Sequence, residues 1–228
     1  MPDLTNGNSY GDRTHKTYYL HVTPTRRIVT GILRLAFNII TNLYVNGVEN
    51  LPESGPVIIA CNHITNFDVF PLQFSLSRPI FFMGKEELFR NPMMDLLFRQ
   101  LGAFPVCRGA RDDWAFQHAI KVLESEQVLG MFPEGTRNKG RGLRTAKTGA
   151  ARLSITTGSS IIPIALNGSQ HIFNRFPRRT SISVKIGLPI QLSHDNSPID
   201  LTDQVMFALA ELLPPEMRGV YSYHPPGF

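Results

Sequence analysis

A chain of 228 residues with 42% hydrophobic and 18% charged side chains is large and apolar enough to bury a sizeable core. Its two cysteines, Cys61 and Cys107, exclude a disulfide-stapled secreted scaffold and fit a reducing compartment. The sequence shows neither a secretory signal nor a run of about 18 uncharged apolar residues that would predict a membrane-spanning helix.

The formal net charge of +5 is concentrated in the middle of the chain. Residues 101–180 contain 12 Lys and Arg against 5 Asp and Glu, and residues 137–152 contain basic residues but no acidic one. Such a field favours phosphate or an anionic surface as the partner. A basic face that only keeps the protein soluble would have the same composition.

The first 23 residues are polar and rich in turn-forming residues, which predicts a flexible tail. Residues 24–42 predict an amphipathic helix with a broad apolar face and a narrow polar stripe, and Pro24 and Thr25 are its start signals. Arg34 in the middle argues against a spanning helix. The helix either packs on the protein core or lies in a membrane interface with its basic residues toward the headgroups.

Strands and helices alternate from residue 43 to residue 213, and several of the strands are continuously apolar. This pattern predicts a single α/β domain over 43–213, with a largely parallel mixed sheet covered by helices on both faces. Residues 214–228 predict a Pro-rich tail. The predicted strands are 43–48, 56–61, 79–83, 103–106, 128–132, 161–166 and 183–187, and the predicted helices are 68–77, 85–88, 93–101, 112–125, 145–157 and 201–213.

A histidine and a carboxylate five residues apart follow the apolar segment 57–61. Within one helix, His63 and Asp68 would point about 140° apart, but they meet if His63 ends the strand and Asp68 opens the next helix. A carboxylate on one ring nitrogen fixes the tautomer and supports the imidazolium when the other nitrogen takes a proton. In isolation, the same pattern also describes a capping aspartate and a hydrogen-bonded turn histidine.

A second polar cluster, Glu134-Gly135-Thr136-Arg137, follows the predicted strand 128–132. Open α/β sheets bind ligands at the carboxyl ends of their strands. Gly135 lets backbone amides approach an anion, and Arg137 offers two parallel donors to a phosphate. A tight turn with a structural Glu–Arg pair is the alternative interpretation, and the ligands near His63 are too few for a protein zinc site.

The order and spacing of these segments resemble the glycerolipid acyltransferase family, specifically the small bacterial 1-acylglycerol-3-phosphate acyltransferases. The resemblance covers roughly residues 40–190. It rests on four blocks, Asn62 to Asp68, Gly102 to Arg108, Phe132 to Arg137 and Ile162-Pro163, and on the intervening Gly84–Phe89 and Lys147–Ala151.

The resemblance implies that His63 is a general base and that Asp68 orients it. Arg108 and Arg137 would hold the phosphate of the acceptor. Glu134 would help to place its glycerol, and Gly135 and Thr136 would complete the substrate-binding turn. Pro163 would shape the acyl-donor side. The residue before the second-block arginine is often acidic in this family, whereas here it is Cys107.

The implied reaction transfers an acyl group from acyl-CoA or acyl carrier protein to the free hydroxyl of 1-acylglycerol-3-phosphate, giving phosphatidate. The sequence contains no Gly-x-Ser-x-Gly nucleophile motif, which favours direct transfer without an acyl-enzyme. Backbone amides near His63 or in the third block would stabilise the oxyanion. We expect no metal and no cofactor beyond the acyl donor.

Because the substrates are lipids, we expect peripheral or monotopic association of the 24–42 helix with membrane lipids at the cytoplasmic face of the cell membrane. The expected partners are these lipids and acyl-CoA or acyl carrier protein, and nucleic acid is not expected. Two alternatives stay open. One is acylation of another acceptor, such as glycerol 3-phosphate, another lysophospholipid or an amino-acid-derived lipid. The other is a non-catalytic protein that binds anionic lipid.

Overall fold

A computed structural model describes Arg13 and residues 16–107, 112–172, 174, 177–193 and 197–223. Helices and strands alternate along the described chain, as the sequence predicts. The helices are α1 Pro24–Ile40, α2 Val69–Ser75, α3 Pro92–Gln100, α4 Asp113–Glu124, α5 Gly149–Thr157 and α6 Pro198–Leu212. The strands are β1 Thr41–Asn46, β2 Val57–Cys61, β3 Ile80–Lys85, β4 Ala103–Val106, β5 Val128–Met131, β6 Ser160–Asn167 and β7 Thr180–Ile186.

Within the described residues, the strands form one sheet in the order β1-β7-β6-β2-β5-β3-β4. Neighbouring strands are parallel throughout except at the antiparallel β6–β7 pair. The prediction of a largely parallel mixed sheet is therefore confirmed. The carboxyl ends of β2, β3, β4, β5 and β6 consequently meet at one edge, which is where such sheets bind ligands.

Apolar layers cover both faces of this sheet. Along the fully buried β2, Val57, Ile59 and Cys61 contribute to a core shared with α1 and α2. The alternate residues Ile58 and Ala60 contribute to a core shared with α4, α5 and α6. A strand buried on both faces has no polar side to display, which explains why its sequence is continuously apolar.

Helix α5 begins at Gly149, four residues later than the predicted start of 145. The residues before it form a loop whose backbone is bonded to the turn after β5: Arg144 N donates to Glu134 Oε2 at 3.0 Å, and Lys147 N donates to the Pro133 carbonyl at 2.9 Å. These bonds between distant residues compete with helix formation, and they bring the basic segment to the carboxyl edge of the sheet.

Helix α1 uses its broad apolar face in two ways. Phe37 is buried against α2, where its ring centroid lies 5.3 Å from that of Phe74, so the helix does pack on the core. A second stripe of the same helix faces solvent. It consists of Ile28, Ile32, Leu35 and Ile39, each 63–68% exposed. None of the described helices is both long and apolar enough to cross a bilayer.

The described parts of both predicted tails pack on the domain. The Arg13 side chain is 4% exposed and bonds Asp112 Oδ2 at 2.6 Å and Glu86 Oε2 at 2.8 Å. At the other end, Pro215–Met217 and Gly219–Tyr221 are short 3₁₀ helices, and Tyr221 is buried in a core with α6. Polar composition did not reveal these long-range partners.

Replacing Arg13 by methionine should lower the free energy of unfolding by about 3–5 kcal/mol, because the change leaves a buried carboxylate without its cation. Burial by itself would raise the pKa of Asp112. The amides of Cys107 and Ala115 together with Arg13 outweigh that effect and hold the pKa below its usual value. The ionised carboxylate thus stabilises the fold at neutral pH, and this contribution is lost as the pH falls through the pKa.

Urea unfolding at pH 7 measures the effect, with Arg27→Met on the exposed side of α1 as the matched control. If both variants lost the same free energy of unfolding, the buried ion pair of Arg13 would not contribute to the stability of the fold.

Candidate active site

Asn62 carries the pairing of β2 and β6 one residue past the end of β2. Its Nδ2 donates to the Leu166 carbonyl at 2.8 Å, and its Oδ1 accepts from Leu166 N at 2.7 Å. The side chain thereby imitates a backbone amide in the ladder, and it is fully buried. The chain leaves the sheet at the next residue, so the position of His63 is set by this pairing.

His63 and Asp68 meet as the sequence predicts. His63 Nδ1 lies 2.8 Å from Asp68 Oδ2, and the carboxylate is fully buried while the histidine side chain is 10% exposed. With the aspartate ionised, Nδ1 carries the proton and donates, which leaves the lone pair on Nε2. The carboxylate therefore fixes the orientation of the imidazole ring.

The Asp68 carboxylate is held by groups from two separate loops. Its Oδ2 also accepts from Ile64 N at 2.6 Å and Thr65 N at 2.9 Å. Its Oδ1 accepts from Thr65 Oγ1 at 3.1 Å and from Ser169 Oγ at 2.6 Å. Ser169 follows β6 and was not identified from the sequence, where a serine after an apolar strand carries no signal of its own.

Glu134 holds the other side of the same turn. Its Oε1 accepts from His63 N at 2.8 Å and from Asn138 Nδ2 at 3.0 Å, while Oε2 accepts from Arg144 N at 3.0 Å. Burial raises the pKa of Glu134, and the hydrogen bonds from His63, Arg144 and Asn138 oppose that rise. Protein donors thus occupy both carboxylate oxygens of Glu134.

The loop after β5 also fixes the imidazole ring and the backbone beyond it. Phe132 stacks on His63, with ring centroids 4.1 Å apart and planes 18° apart. Asn138 N donates to the His63 carbonyl at 2.7 Å. Neither residue was assigned this role from sequence. The loop that follows β5 therefore contacts the imidazole ring of His63 as well as its backbone N–H and carbonyl.

The remaining predicted site residues are less enclosed. Gly135 has a φ of +66°, a conformation that favours glycine. Thr136 and Arg137 follow it and are exposed to solvent. Arg108 lies outside the described residues.

Burial raises the pKa of the Cys61 thiol, which keeps this neighbour of the site in its neutral form.

The fold is an open α/β sheet with a buried histidine–aspartate pair at its carboxyl edge. The segment that contains the site, residues 42–167, matches the family model described as Acyltransferase. The chain belongs to this acyltransferase family.

Individual relatives agree with the family match. The chain is 33% identical over 133 residues to the 1-acyl-sn-glycerol-3-phosphate acyltransferase of Borreliella burgdorferi, an alignment that covers 58% of this chain and 53% of that protein. It is 30% identical over 137 residues to the Bacillus subtilis protein of the same name, covering 60% of this chain and 68% of that one. The aligned region thus spans about half of the first relative and two thirds of the second.

The fold resembles a solved structure in the same family. The crystal structure of the 1-acyl-sn-glycerophosphate acyltransferase from Thermotoga maritima superposes with a TM-score of 0.67 at 25% identity. The superposition covers 82% of this chain and 79% of that chain. The likeness therefore includes most of the sheet and its covering helices.

Ser169→Ala should lower the acyl-transfer kcat about tenfold with little change in the KM for the acceptor. A hydrogen bond to a charged group contributes about 1.5–3 kcal/mol, which corresponds to roughly a tenfold or larger factor in rate if the transition state needs it. Initial-rate kinetics measure both constants. Ser125→Ala is the control, because its hydroxyl donates to the Lys121 carbonyl and not to the Asp68 carboxylate. An unchanged kcat would remove Ser169 from the catalytic arrangement.

Proposed function

We propose that this protein transfers an acyl group from an acyl thioester to the free hydroxyl of 1-acylglycerol-3-phosphate, producing phosphatidate. The observation that carries the proposal is the buried His63–Asp68 pair at the carboxyl edge of the sheet, 2.8 Å between Nδ1 and Oδ2. The names of the Borreliella, Bacillus and Thermotoga relatives supply the acceptor.

In the proposed mechanism, His63 Nε2 removes the proton of the acceptor hydroxyl while its oxygen attacks the thioester carbonyl carbon. Asp68 stabilises the imidazolium that forms. The tetrahedral intermediate collapses by breaking the carbon–sulfur bond, and the imidazolium returns the proton to the thiolate that leaves. The products are an ester and a free thiol, so no redox partner or cofactor is required.

The hydrogen bonds of the backbone amides limit which of them can stabilise the oxyanion. The amides of His63, Ile64 and Thr65 donate to the carboxylates of Glu134 and Asp68. An amide already donating to a carboxylate is not available for a second anion. The Gly135 amide is likewise engaged, because it donates to the Phe132 carbonyl at 2.9 Å. We therefore assign oxyanion stabilisation to the amides of Thr136 and Arg137, which follow Gly135 in the turn and are exposed.

Arg137 is the proposed phosphate ligand for which the structure gives a position. It is exposed, and it lies three residues after Glu134, which is bonded to the backbone of His63. An arginine fork there suits a phosphate while the acceptor hydroxyl reaches the imidazole. Arg108, which precedes α4 in sequence, is the second proposed ligand.

We further propose that the protein associates peripherally with membrane lipid through α1. Its exposed stripe is apolar over three helical turns, while the opposite side of the helix is fixed to the core by Phe37. An outward apolar stripe on a rigidly packed helix suits shallow burial among headgroups. Free Cys61 and Cys107 fit the reducing side, so we assign the association to the cytoplasmic face, where acyl-CoA or acyl carrier protein would supply the acyl group.

His63→Ala should reduce turnover of lysophosphatidate at least about 10²–10⁴-fold while the circular dichroism spectrum stays that of the wild type, because the variant loses the general base. Labelled acyl-CoA with a panel of acceptors is the assay, and the panel includes glycerol 3-phosphate, another lysophospholipid and an amino-acid-derived lipid. His21→Ala, an exposed histidine, is the matched control. Substantial residual activity in His63→Ala would sink the mechanism. If the wild type preferred another acceptor, that acceptor would replace lysophosphatidate as the proposed substrate. If the wild type were inactive on every acceptor, a non-catalytic lipid-binding role would be favoured.

Replacing Ile28, Ile32 and Leu35 together by serine should reduce partitioning onto phospholipid vesicles more than tenfold. Burying each such side chain contributes about 1.5–3 kcal/mol, most of which serine forfeits. Vesicle co-sedimentation measures the change. The control variant replaces Ile199 and Val220, which are exposed apolar residues at 65% and 63% elsewhere on the domain. Equal binding by the two variants would show that another surface meets the membrane.

A further inference from the structure

Lys147 lies across the turn that positions His63. Its N–H donates to the Pro133 carbonyl at 2.9 Å, which fixes the start of the side chain. A Cβ placed on Gly135 would lie 3.0 Å from Lys147 Cε, 3.2 Å from Cδ and 3.3 Å from Nζ. The aliphatic stem of Lys147 therefore packs on the bare Cα of Gly135, and its ammonium ends beside the third sequence block.

Within the part of the chain that the structure describes, the Lys147 ammonium is not neutralised by a neighbouring acid. Among the described residues, no carboxylate forms an ion pair with Lys147. The adjacent carboxylate, Glu134, is occupied by His63 N, Asn138 Nδ2 and Arg144 N. Lys147 is also exposed. A cation whose stem is held by packing and whose head faces solvent is available to an incoming anion.

We propose that Lys147 binds the phosphate of the acceptor together with Arg137. The inference rests on the proposed function and adds a ligand to it. Gly135 separates the two basic residues: Lys147 lies on it, and Arg137 follows two residues later.

The charge of the ligand fits this pair. A phosphate monoester carries a charge of about −1.5 to −2 at neutral pH and offers three oxygens, so Lys147 can bind it alongside Arg137 and the proposed ligand Arg108. Arginine supplies a planar fork with two parallel donors, whereas lysine supplies a compact point charge with rotatable donors. The two cations can thus contact different phosphate oxygens.

Lys147→Met is the direct test, because methionine retains most of the aliphatic stem and removes the charge. The KM for lysophosphatidate should rise about 10- to 100-fold, the range expected when a charge-assisted contact is lost. The kcat at saturating acceptor and the KM for acyl-CoA should stay within about twofold. Lys147→Arg, which keeps the positive charge, should recover much of the affinity.

Lys139→Met is the matched control, since it removes one exposed positive charge from the same basic segment. An unchanged acceptor KM in Lys147→Met would overturn the inference. An equal rise of the acceptor KM in Lys139→Met would also overturn it, because the effect would then come from the overall positive charge of the segment. A rise confined to the KM for acyl-CoA in Lys147→Met would overturn it as well, because Lys147 would then bind a phosphate of the donor. A wild type inactive on lysophosphatidate would overturn the proposed function and this inference with it, whereas an active wild type with an unaffected Lys147→Met would overturn the inference alone.

Discussion

Two buried carboxylates hold the turn after β2, and the rest of the site depends on them. Glu134 accepts from the amide of His63, and Asp68 accepts from the amides of Ile64 and Thr65. Consecutive N–H groups at a buried strand end need acceptors, since leaving such a donor unpaired costs about 1–3 kcal/mol. The imidazole is consequently oriented through its backbone as well as through its ring.

This constraint connects three strands of the sheet. The turn after β2 carries His63, the loop after β5 carries Glu134 and Phe132, and the segment after β6 carries Ser169. Each loop supplies a hydrogen bond or a stacking contact that another loop needs. Because β2 lies between β5 and β6 in the sheet, the three carboxyl ends are neighbours without any long excursion of the chain. The parallel arrangement of the strands therefore brings together the loops that hold His63 and Asp68.

Local patterns were sufficient to predict the strands, most of the helices and the meeting of His63 with Asp68. Continuous apolar segments indicate strands buried on both faces, and a histidine at the end of one has a defined place in an open sheet. Contacts between residues distant in sequence were not predictable in this way. Three hydrogen bonds join residues 99 or more positions apart: Asn62 with Leu166, Ser169 with Asp68, and Arg13 with Asp112. No local sequence pattern predicts them. For Glu134, only the structure shows which donors occupy its two oxygens.

The proposed mechanism requires one bound acceptor to place its hydroxyl at His63 and its phosphate at Arg137. The most direct measurement is a crystal structure of the protein with lysophosphatidate and an unreactive thioester analogue. The predicted result places the acceptor hydroxyl within about 2.6–3.2 Å of His63 Nε2 with its phosphate at Arg137. A well-ordered acceptor whose phosphate lies away from the turn after β5, or whose hydroxyl faces away from the imidazole, would contradict the assignment of His63 as the general base.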